Sequence, residues 1–377
     1  MKKAKCIIAR LKEAGYEAYM VGGAVRDHLR GATPHDIDVA TSASPEQVKA
    51  LFERTIDTGI EHGTVMVVIE GQGTEVTTFR TESGYSDNRR PDKVEFVNSL
   101  IEDLKRRDFT INAMAMTEEM AIIDPFGGRG DLDSGIIRAV GVPEERFSED
   151  ALRMLRAIRF SGQLNFRIDP STKQAISEHA ENLQFVAMER IKAELDKIMV
   201  SVAPDISMKY LTETRLSCYL PSGGLFEIDW SEYPAGNDPL SGWFYLLYQN
   251  GETFNSIRDY RFSNQDRKDL QHALEASRLP HWDDWVFYSF TERQLALVQA
   301  VSHKTVEVKR RQQALPVRSK SELAANGRDL MEWTGKKAGP WLKEWTRQME
   351  KAVVERRLAN DKERIKDWFI DEYQRHT

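Results

Sequence analysis

Gly22-Gly23-Ala24-Val25-Arg26-Asp27, followed nine residues later by Asp36-Ile37-Asp38, is the stretch on which the fold reading turns. Paired glycines running straight into a helix, Ala24 to Leu29, let backbone N–H groups approach a phosphate. No side chain stands in the way, and the start of a helix favours negative charge. Arg26, one turn in, adds a charge-assisted donor for the same anion. A strand is predicted over Asp36 to Ala40. On a strand, residues i and i+2 share a face, so Asp36 and Asp38 project together while Ile37 turns to the core. Two adjacent carboxylates repel each other unless a cation joins them, and oxygen donors without a nearby His or Cys favour Mg2+ over zinc. Magnesium held by two carboxylates works on phosphates. A tight turn and solvent-facing aspartates would account for either element alone. Glycines, helix, strand and paired acids within 17 residues are a stronger sign. Glu75, on the run Thr74 to Phe79, is a third carboxylate that a neighbouring strand could bring to the metals. It reads equally as an ordinary strand glutamate and is kept apart from the metal set.

Around this stretch the first ~140 residues alternate in character. Lys5 to Gly15 reads as a helix, Glu17 to Val21 as a strand, and Ser44-Pro45 opens another helix. Gly63 to Glu70 and Gly73 to Arg80 read as a hairpin across Gly71-Gln72-Gly73. Beyond ~140 the strand signal mostly stops. Ser148 to Phe160 and Ala187 to Met199 are helical in period. Residues 220–240, rich in Gly, Pro, Ser and Asp, are the best linker candidate. The remainder is mostly helical, and its tryptophans (Trp333, Trp341, Trp345, Trp368) read as core in preference to base-stacking platforms.

Composition narrows the function classes. A chain of 377 residues with 41% hydrophobic and 30% charged residues is a folded protein of two to four domains. Cys6 and Cys218 are too far apart for a disulfide framework or a CxxC site. No signal-peptide core fits before Arg10, and the longest apolar run, Thr64 to Ile69, is too short to span a bilayer, so a reducing cytoplasm is expected. The net charge of −6 hides an asymmetry: residues 301–377 hold 18 Lys+Arg against 12 Asp+Glu. A basic C-terminal segment suits a polyanionic partner, though a solvated helical surface has the same composition.

Three later segments carry chemistry. In Arg106-Arg107-Asp108-Phe109-Thr110, Asp108 or Thr110 is placed to cap a following helix, with Arg107 pointing at a nucleotide. Asp124-Pro125-Phe126-Gly127-Gly128 with Asp131-Leu132 reads as a sharp turn that orients two parts of the molecule. In Glu149-Asp150-Ala151-Leu152-Arg153-Met154-Leu155-Arg156-Ala157-Ile158-Arg159-Phe160, the residues Asp150, Arg153, Arg156 and Arg159 recur every third position and drift slowly around one helix face. Leu152, Leu155 and Ile158 form the adjoining apolar stripe. Aspartate offers only acceptors and arginine only donors. Cytosine and adenine both present an amino donor beside a ring acceptor, whereas uracil and guanine present the opposite order. Asp150 and Arg153 together therefore match C and A and reject U and G, at about 1–3 kcal/mol for each polar group left unpaired. Arg156 and Arg159 remain for phosphates. A salt-bridged surface helix is the competing reading of this segment.

In this order the motifs resemble those of the bacterial class II CCA-adding enzymes (tRNA nucleotidyltransferases) and their relatives, the A-adding enzymes and bacterial poly(A) polymerases. The resemblance covers about residues 20–200: GGAVRD with DID, RRDFTINAMA, DPFGGRGDL, EDALRMLRAIRF and, last, AMERIKAELDKIM, which is similar to the family's helix-stabilising element. It implies an α+β protein with a polymerase-β-like nucleotidyltransferase head (1–138), a helical neck with the nucleotide-selecting helix (139–205), a helical body (206–300) and a basic helical tail (301–377) that binds tRNA. It implies that Asp36 and Asp38 hold Mg2+ as catalytic residues. Gly23, Arg26 and Arg107 would bind the triphosphate of CTP or ATP, Asp150 and Arg153 would read the base, and Arg156 and Arg159 would complete the nucleotide site. The segment Ser83 to Asp92 looks like the intact flexible loop that enzymes adding only CC are reported to lack. The only His-Asp dipeptide, His35-Asp36, lies inside the DxD element, so no metal-dependent phosphohydrolase domain is expected. The expected activity is addition of C and A to the tRNA 3′ end. A-only addition, a poly(A) polymerase and, more remotely, a non-catalytic RNA-binding protein are the alternatives.

Overall fold

Val65, Val67 and Val76 are buried and alternate with polar or half-buried neighbours, the period-two pattern of strands that bury one face, while Val39 lies in a strand buried on both faces past Asp38. They belong to a seven-stranded mixed sheet built from β1 (Ala18–Val21), β2 (Asp38–Thr41), β3 (Thr55–Gly59), β4 (Thr64–Ile69), β5 (Gln72–Thr78), β8 (Ala115–Met116) and β9 (Ile122–Ile123), in the order β3-β4-β5-β2-β1-β8-β9. β6 (Arg80–Ser83) and β7 (Lys93–Phe96) form a separate hairpin. The computed structural model describes residues 1–34, 36–83, 93–302, 304 and 306–376. The loop expected at Ser83 to Asp92 lies outside the described residues from position 84 onward.

Helices α1 (Lys2–Glu13) and α3 (Pro45–Leu51) pack against the sheet. α1 buries Ala4, Ile7, Ile8 and Leu11, an i, i+3, i+4, i+7 stripe. Ser44 caps α3 in a capping box with Gln47, and Pro45 sits at its first position. The alternate positions of the sheet, Val21, Ala40 and Ala115, cluster with Phe79 and with Leu100 and Leu104 of α4 (Leu100–Lys105). α2 (Gly23–Leu29) begins directly after β1. Asp38 shares its strand face with Ala40. The β2–β5 register, which pairs Val39 with Val76, sets Asp38 beside Glu75.

Past the sheet come α5 (Gly128–Ser134), the short parallel pair β10 (Ile136–Ile137) and β11 (Arg167–Ile168), α6 (Pro143–Glu149), α7 (Leu152–Leu164), α8 (Pro170–Glu178), α9 (Met188–Met199) and α10 (Pro204–Glu213). These elements and the sheet form one compact unit, Met1–Pro239 with Asp259–Arg261. α7 is the centre of the helical part. Leu152, Leu155 and Ile158 are buried, and α9 and α10 pack on it. The second unit, Leu240–Arg258 with Phe262–Thr377, is helical among its described residues: α11 (Leu240–Asn250), α12 (Asn264–Ser277), α13 (Asp284–Ser289), α14 (Glu292–Ser302), α15 (Val308–Gln313), α16 (Gly327–Thr334), α17 (Pro340–Val354) and α18 (Lys362–His376). Trp345 is buried and packs edge-on against Trp368 and Phe369, while Trp333, Trp341 and Trp368 are half-buried, with Trp333 against Phe369, so of the four tryptophans only Trp345 is fully core.

The structure corrects three local expectations. β2 starts at Asp38, not Asp36. Gly22 turns β1 away at φ +69° immediately after Val21, so the chain before Asp38 has no strand to pair with. The predicted helix over Ser148 to Phe160 is broken at Asp150, whose extended backbone (φ −137°, ψ 101°) ends α6 before α7 begins. The supposed linker at 220–240 is packed structure over most of its length. Trp230 and Tyr233 are buried, Trp230 donates to the Phe226 carbonyl at 3.1 Å, and Tyr233 donates to the Met199 carbonyl at 3.1 Å. The two units part only at its end, between Pro239 and Leu240.

Close packing of α7 on α10 depends on Gly162. A Cβ there would collide with the Ser207 hydroxyl and come within 2.6 Å of the Ala203 carbonyl, and the close approach is anchored by the Ala203 N–H donating to the Gly162 carbonyl at 3.0 Å. Gly162→Ala is expected to destabilise the first unit by about 1–3 kcal/mol, read as a lower midpoint in urea unfolding followed by near-UV circular dichroism.

Candidate active site

The residues expected to face a nucleotide arise at element ends. Gly22 leaves β1 with φ +69° and ψ −133°, backbone that only glycine adopts readily, and a Cβ there would lie 2.9 Å from an Arg107 Nη. The tight turn lets α2 start with Gly23 at the sheet edge. Arg26 is buried, donates to the Asn112 side-chain carbonyl at 2.8 Å and to Asp27 at 2.9 Å, and lies 5.3 Å over the Phe160 ring. Arg107, just past α4, pairs with Asp103 at 3.1 Å.

Gly23, Arg26, Arg107, Asp150, Arg153, Arg156 and Arg159 all line one cavity of about 480 Å3, and Asp38 lines it too. The seven nucleotide-site residues expected from sequence are therefore brought together. Asp36 is not in this group. With Asp38 and Glu75 it lines a neighbouring cavity of about 560 Å3, and Asp38 is the residue common to both. Ile37 lines that second cavity as well and is only half-buried, so it does not turn into the core as strand alternation predicted.

The acids form a charge cluster. Burial pushes the Asp38 carboxyl up, Glu75 and Asp36 push it further, and Arg107 opposes them. Unneutralised carboxylates crowded in this way, all oxygen donors with no imidazole or thiolate beside them, fit a magnesium ion. Among the described residues no three acidic, His or Cys side chains enclose a metal by themselves. Nucleotide-bound magnesium is ordinarily completed by phosphates and water.

Asp150 and Arg153 are both on the cavity wall, but they do not bond each other. Asp150 accepts from the Leu152 N–H at 3.0 Å and from Arg190 at 3.2 Å. Arg153 donates to Glu149 at 2.6 Å and to the Arg106 carbonyl at 2.9 Å. Each is held by its own anchor, so acceptor and donor are fixed independently. Arg156 is held by Asp108 at 2.8 and 2.5 Å, and Arg159 lies 2.7 Å from Glu194 and 4.2 Å over Phe160. The Arg159–Glu194 approach is out of line for a hydrogen bond. The nitrogens Arg107 Nε, Arg159 Nε and Arg190 Nη1 are buried donors without a hydrogen-bond partner among the described residues. Orphaned guanidinium donors around one cavity are what a polyphosphate would satisfy.

The sequence reading missed the anchors. Asp108 caps no α-helix. Only a short 3-10 turn, Thr110–Asn112, follows it, and Asp108 instead accepts from Asn112 at 3.2 Å and from Arg156, while Thr110 donates to Asp131 at 2.7 Å. Burial raises the Asp108 carboxyl, yet Arg156 against it, with Arg153 and Asn112 behind, more than reverses this and holds it at about 2. Glu149, Arg190 and Glu194 were likewise not singled out. Their signal was present in the i, i+4 spacing of Arg190 and Glu194 on a helix with an apolar face. The DPFGGRGDL segment is a capped helix start, with Asp124 accepting from the Gly128 and Arg129 N–H groups at 2.8 and 2.9 Å.

The fold and the site together define a nucleotidyltransferase: a mixed sheet with paired acids at a strand start, a glycine turn, and a helix lined with arginines. Family models match residues 18–138 (poly A polymerase head domain), 165–222 (probable RNA and SrmB-binding site of polymerase A) and 239–369 (tRNA nucleotidyltransferase domain 2, putative). The CCA-adding enzymes of Bacillus cereus (strain AH820) and Bacillus anthracis are each 42% identical, over 98% of this chain and 98% of theirs. A crystal structure of the Bacillus stearothermophilus CCA-adding enzyme in complex with CTP superposes with a TM-score of 0.91 at 40% identity, covering 100% of this chain and 98% of that one. The fold is shared more distantly, with a TM-score of 0.65 at 21% identity, by a Thermotoga maritima CCA-adding enzyme complexed with tRNA, covering 99% of this chain and 95% of that one. The chain belongs to the family of CCA-adding enzymes.

Stability should follow the Asp108–Arg156 ion pair. The Asp108 carboxyl sits below its unfolded value of about 3.9, so its contribution is fully present above pH 4 and is lost as pH falls through about 2. Acid titration of unfolding is expected to show this loss in the wild-type protein. Asp108→Asn should lack that component and be less stable at pH 7 by about 1–3 kcal/mol, because the half-buried Arg156 loses its counter-charge.

Proposed function

We propose that this chain completes the 3′ end of tRNA, adding C and A from CTP and ATP without a nucleic-acid template, in the cytoplasm. The observation that supports this most is the convergence of seven nucleotide-facing residues and Asp38 on one cavity, with Asp36 and Glu75 immediately beside it. In this reading the head is 1–138, the neck 139–205, the body 206–300 and the tail 301–377, the last supplying the basic surface for tRNA. Among the described residues no helix is long and apolar enough to cross a membrane.

Gly23 and the turn at Gly22 bring backbone close to the triphosphate, while Arg26 and Arg107 neutralise it. Arg156 and Arg159 complete the site from α7. Asp36 and Asp38 would hold Mg2+, with Glu75 as the third acid, and the bound ion would lower the pKa of the attacking hydroxyl and stabilise charge on the leaving oxygen. The 3′-oxygen bonds to the α-phosphorus, the bond to the bridging oxygen breaks, pyrophosphate leaves with the electron pair, and the hydroxyl proton passes to solvent. Asp150 accepts from the base's amino group and Arg153 donates to its ring acceptor, a pairing that C and A satisfy. Arg190 and Glu149 hold these two side chains at fixed positions on the wall.

Incubating the chain with a tRNA lacking its 3′ end, with CTP and ATP singly and together, and counting the residues added is the decisive assay. CCA is expected, whereas A alone or a long A tail would replace this reading with A-only addition or a poly(A) polymerase. Asp38→Ala should abolish incorporation while sparing tRNA binding, and normal incorporation by that variant would refute the catalytic assignment. Exchanging Asp150 or Arg153 should relax the preference for C and A over U and G, measured as relative kcat/KM for the four nucleotides. Unchanged selectivity would remove both residues from base reading.

A further inference from the structure

Asp103 lines neither cavity, yet two arginines on the wall of the nucleotide cavity hang on it. It is 1% exposed and stands on α4 beside Leu100 and Leu104, which cluster with the sheet residues Val21, Ala40 and Ala115. Its Oδ1 accepts from Arg106 Nε at 3.0 Å and Nη2 at 2.8 Å, and its Oδ2 accepts from Arg107 Nη2 at 3.1 Å. Burial alone would raise the carboxyl, but Arg107 and Arg106 more than reverse this and hold it below its ordinary value.

Successive residues on a helix do not face each other. Arg106 and Arg107 both reach one carboxylate because α4 ends at Lys105 and its last turn tightens, with the Arg107 N–H donating to the Leu104 carbonyl at 3.2 Å. The same helix end is joined to α6 and α7. Its Lys105 carbonyl accepts from Arg146 at 3.5 Å, and the Arg106 carbonyl accepts from Arg153 at 2.9 Å. Cations are favoured at the carbonyl end of a helix. One buried carboxylate thus fixes a short segment that is tied on its far side to α7.

We propose that Asp103 is a positioning residue that couples the two halves of nucleotide recognition, an assignment that rests on the proposed function. Through Arg107 it aims donors at the triphosphate. Through the Arg106 carbonyl it sets the place of Arg153, the residue given to base reading. Arg107 is built to be aimed. One of its Nη atoms occupies the space that the absent Gly22 side chain leaves, 2.9 Å from where a Cβ would stand. Its Nε is a buried donor without a hydrogen-bond partner among the described residues. Asp103 holds one nitrogen of this guanidinium and leaves the others for phosphate oxygens. It touches no reacting atom, so its effect passes through the two arginines.

The test uses the full chain with Mg2+ and two readouts: calorimetric binding of tripolyphosphate and of CTP, and extension of a tRNA lacking its 3′ end. Asp103→Asn keeps the volume and removes the charge. It is expected to weaken tripolyphosphate and CTP about tenfold each, the scale of one misdirected charged hydrogen bond, and to leave KM for the tRNA within about twofold. The preference for CTP over UTP, as relative kcat/KM, should fall by about threefold, less than a lost base contact would cost. In an Arg107→Gln background the same exchange should weaken tripolyphosphate no further, because two residues acting through one contact are not additive. An equal further loss in that background, or an unchanged tripolyphosphate affinity in Asp103→Asn, would overturn the proposal. Asp103→Glu keeps the charge and moves it by one methylene, and it carries the test if the neutral variant does not fold. Its tripolyphosphate affinity should also fall, and wild-type affinity there would show that charge suffices without placement. Wild-type protein that binds CTP and adds neither C nor A would instead sink the functional reading beneath, so the two failures are distinguishable.

Discussion

The ion pair between buried Asp108 and half-buried Arg156 is the constraint on which the rest of the site depends. Asp108 follows Arg107 in the segment after α4, and Arg156 stands at the middle of α7. A carboxylate taken out of water must be paired well or it destabilises the fold. The pair is therefore a fixed distance between the sheet-borne half of the site and the helix that supplies its arginines. Asn112 extends it by donating to Asp108 and accepting from Arg26, so a chain of hydrogen bonds runs from α7 to the first turn of α2. Arg26, Arg156 and Arg159 all lie over Phe160, whose ring face is favourable for cations and keeps their heads close together despite like charge.

A second layer of anchors explains why Asp150 and Arg153 need not touch each other. Arg190 and Glu194, one turn apart on α9, reach across to Asp150 and Arg159. Glu149 holds Arg153 and is itself held by Arg146 at 2.5 Å. Much of the charge in this region is thus spent on position. What remains for a ligand is a small set of donors, the orphaned nitrogens of Arg107 and Arg190, and the carboxylates at the sheet edge. Such a site is preorganised: its guanidinium groups are already held in place before substrate arrives.

The glycine turn, the paired acids and the arginine spacing were legible because each is a local pattern with a chemical purpose. Gly22 is required by backbone geometry, and Asp36-Ile37-Asp38 by charge. Asp108 was legible as important but not in its role, because its partner lies 48 residues away and helix capping was the nearest local explanation. The break at Asp150 escaped notice since buried Phe147 before it and Ala151 after it keep an i, i+4 spacing. Glu75 was ambiguous for a related reason: only strand register sets it beside Asp38. The Trp230 and Tyr233 segment looked like a linker by composition, yet two large aromatic rings were enough to fold it down.

What the sequence determined by itself is the set of chemical groups: two acids two residues apart, glycines before a helix, arginines at every third position, and apolar stripes that fix strand and helix period. These are properties of neighbours in the chain, and short-range sterics and charge decide them. Tertiary structure alone decided which groups meet. Strand order brought Glu75 to the acids, and helix packing set α9 against α7. Folding also divided the space around Asp38 into two cavities. Pairing across dozens of residues follows from burial and register, and no local pattern in the chain encodes it.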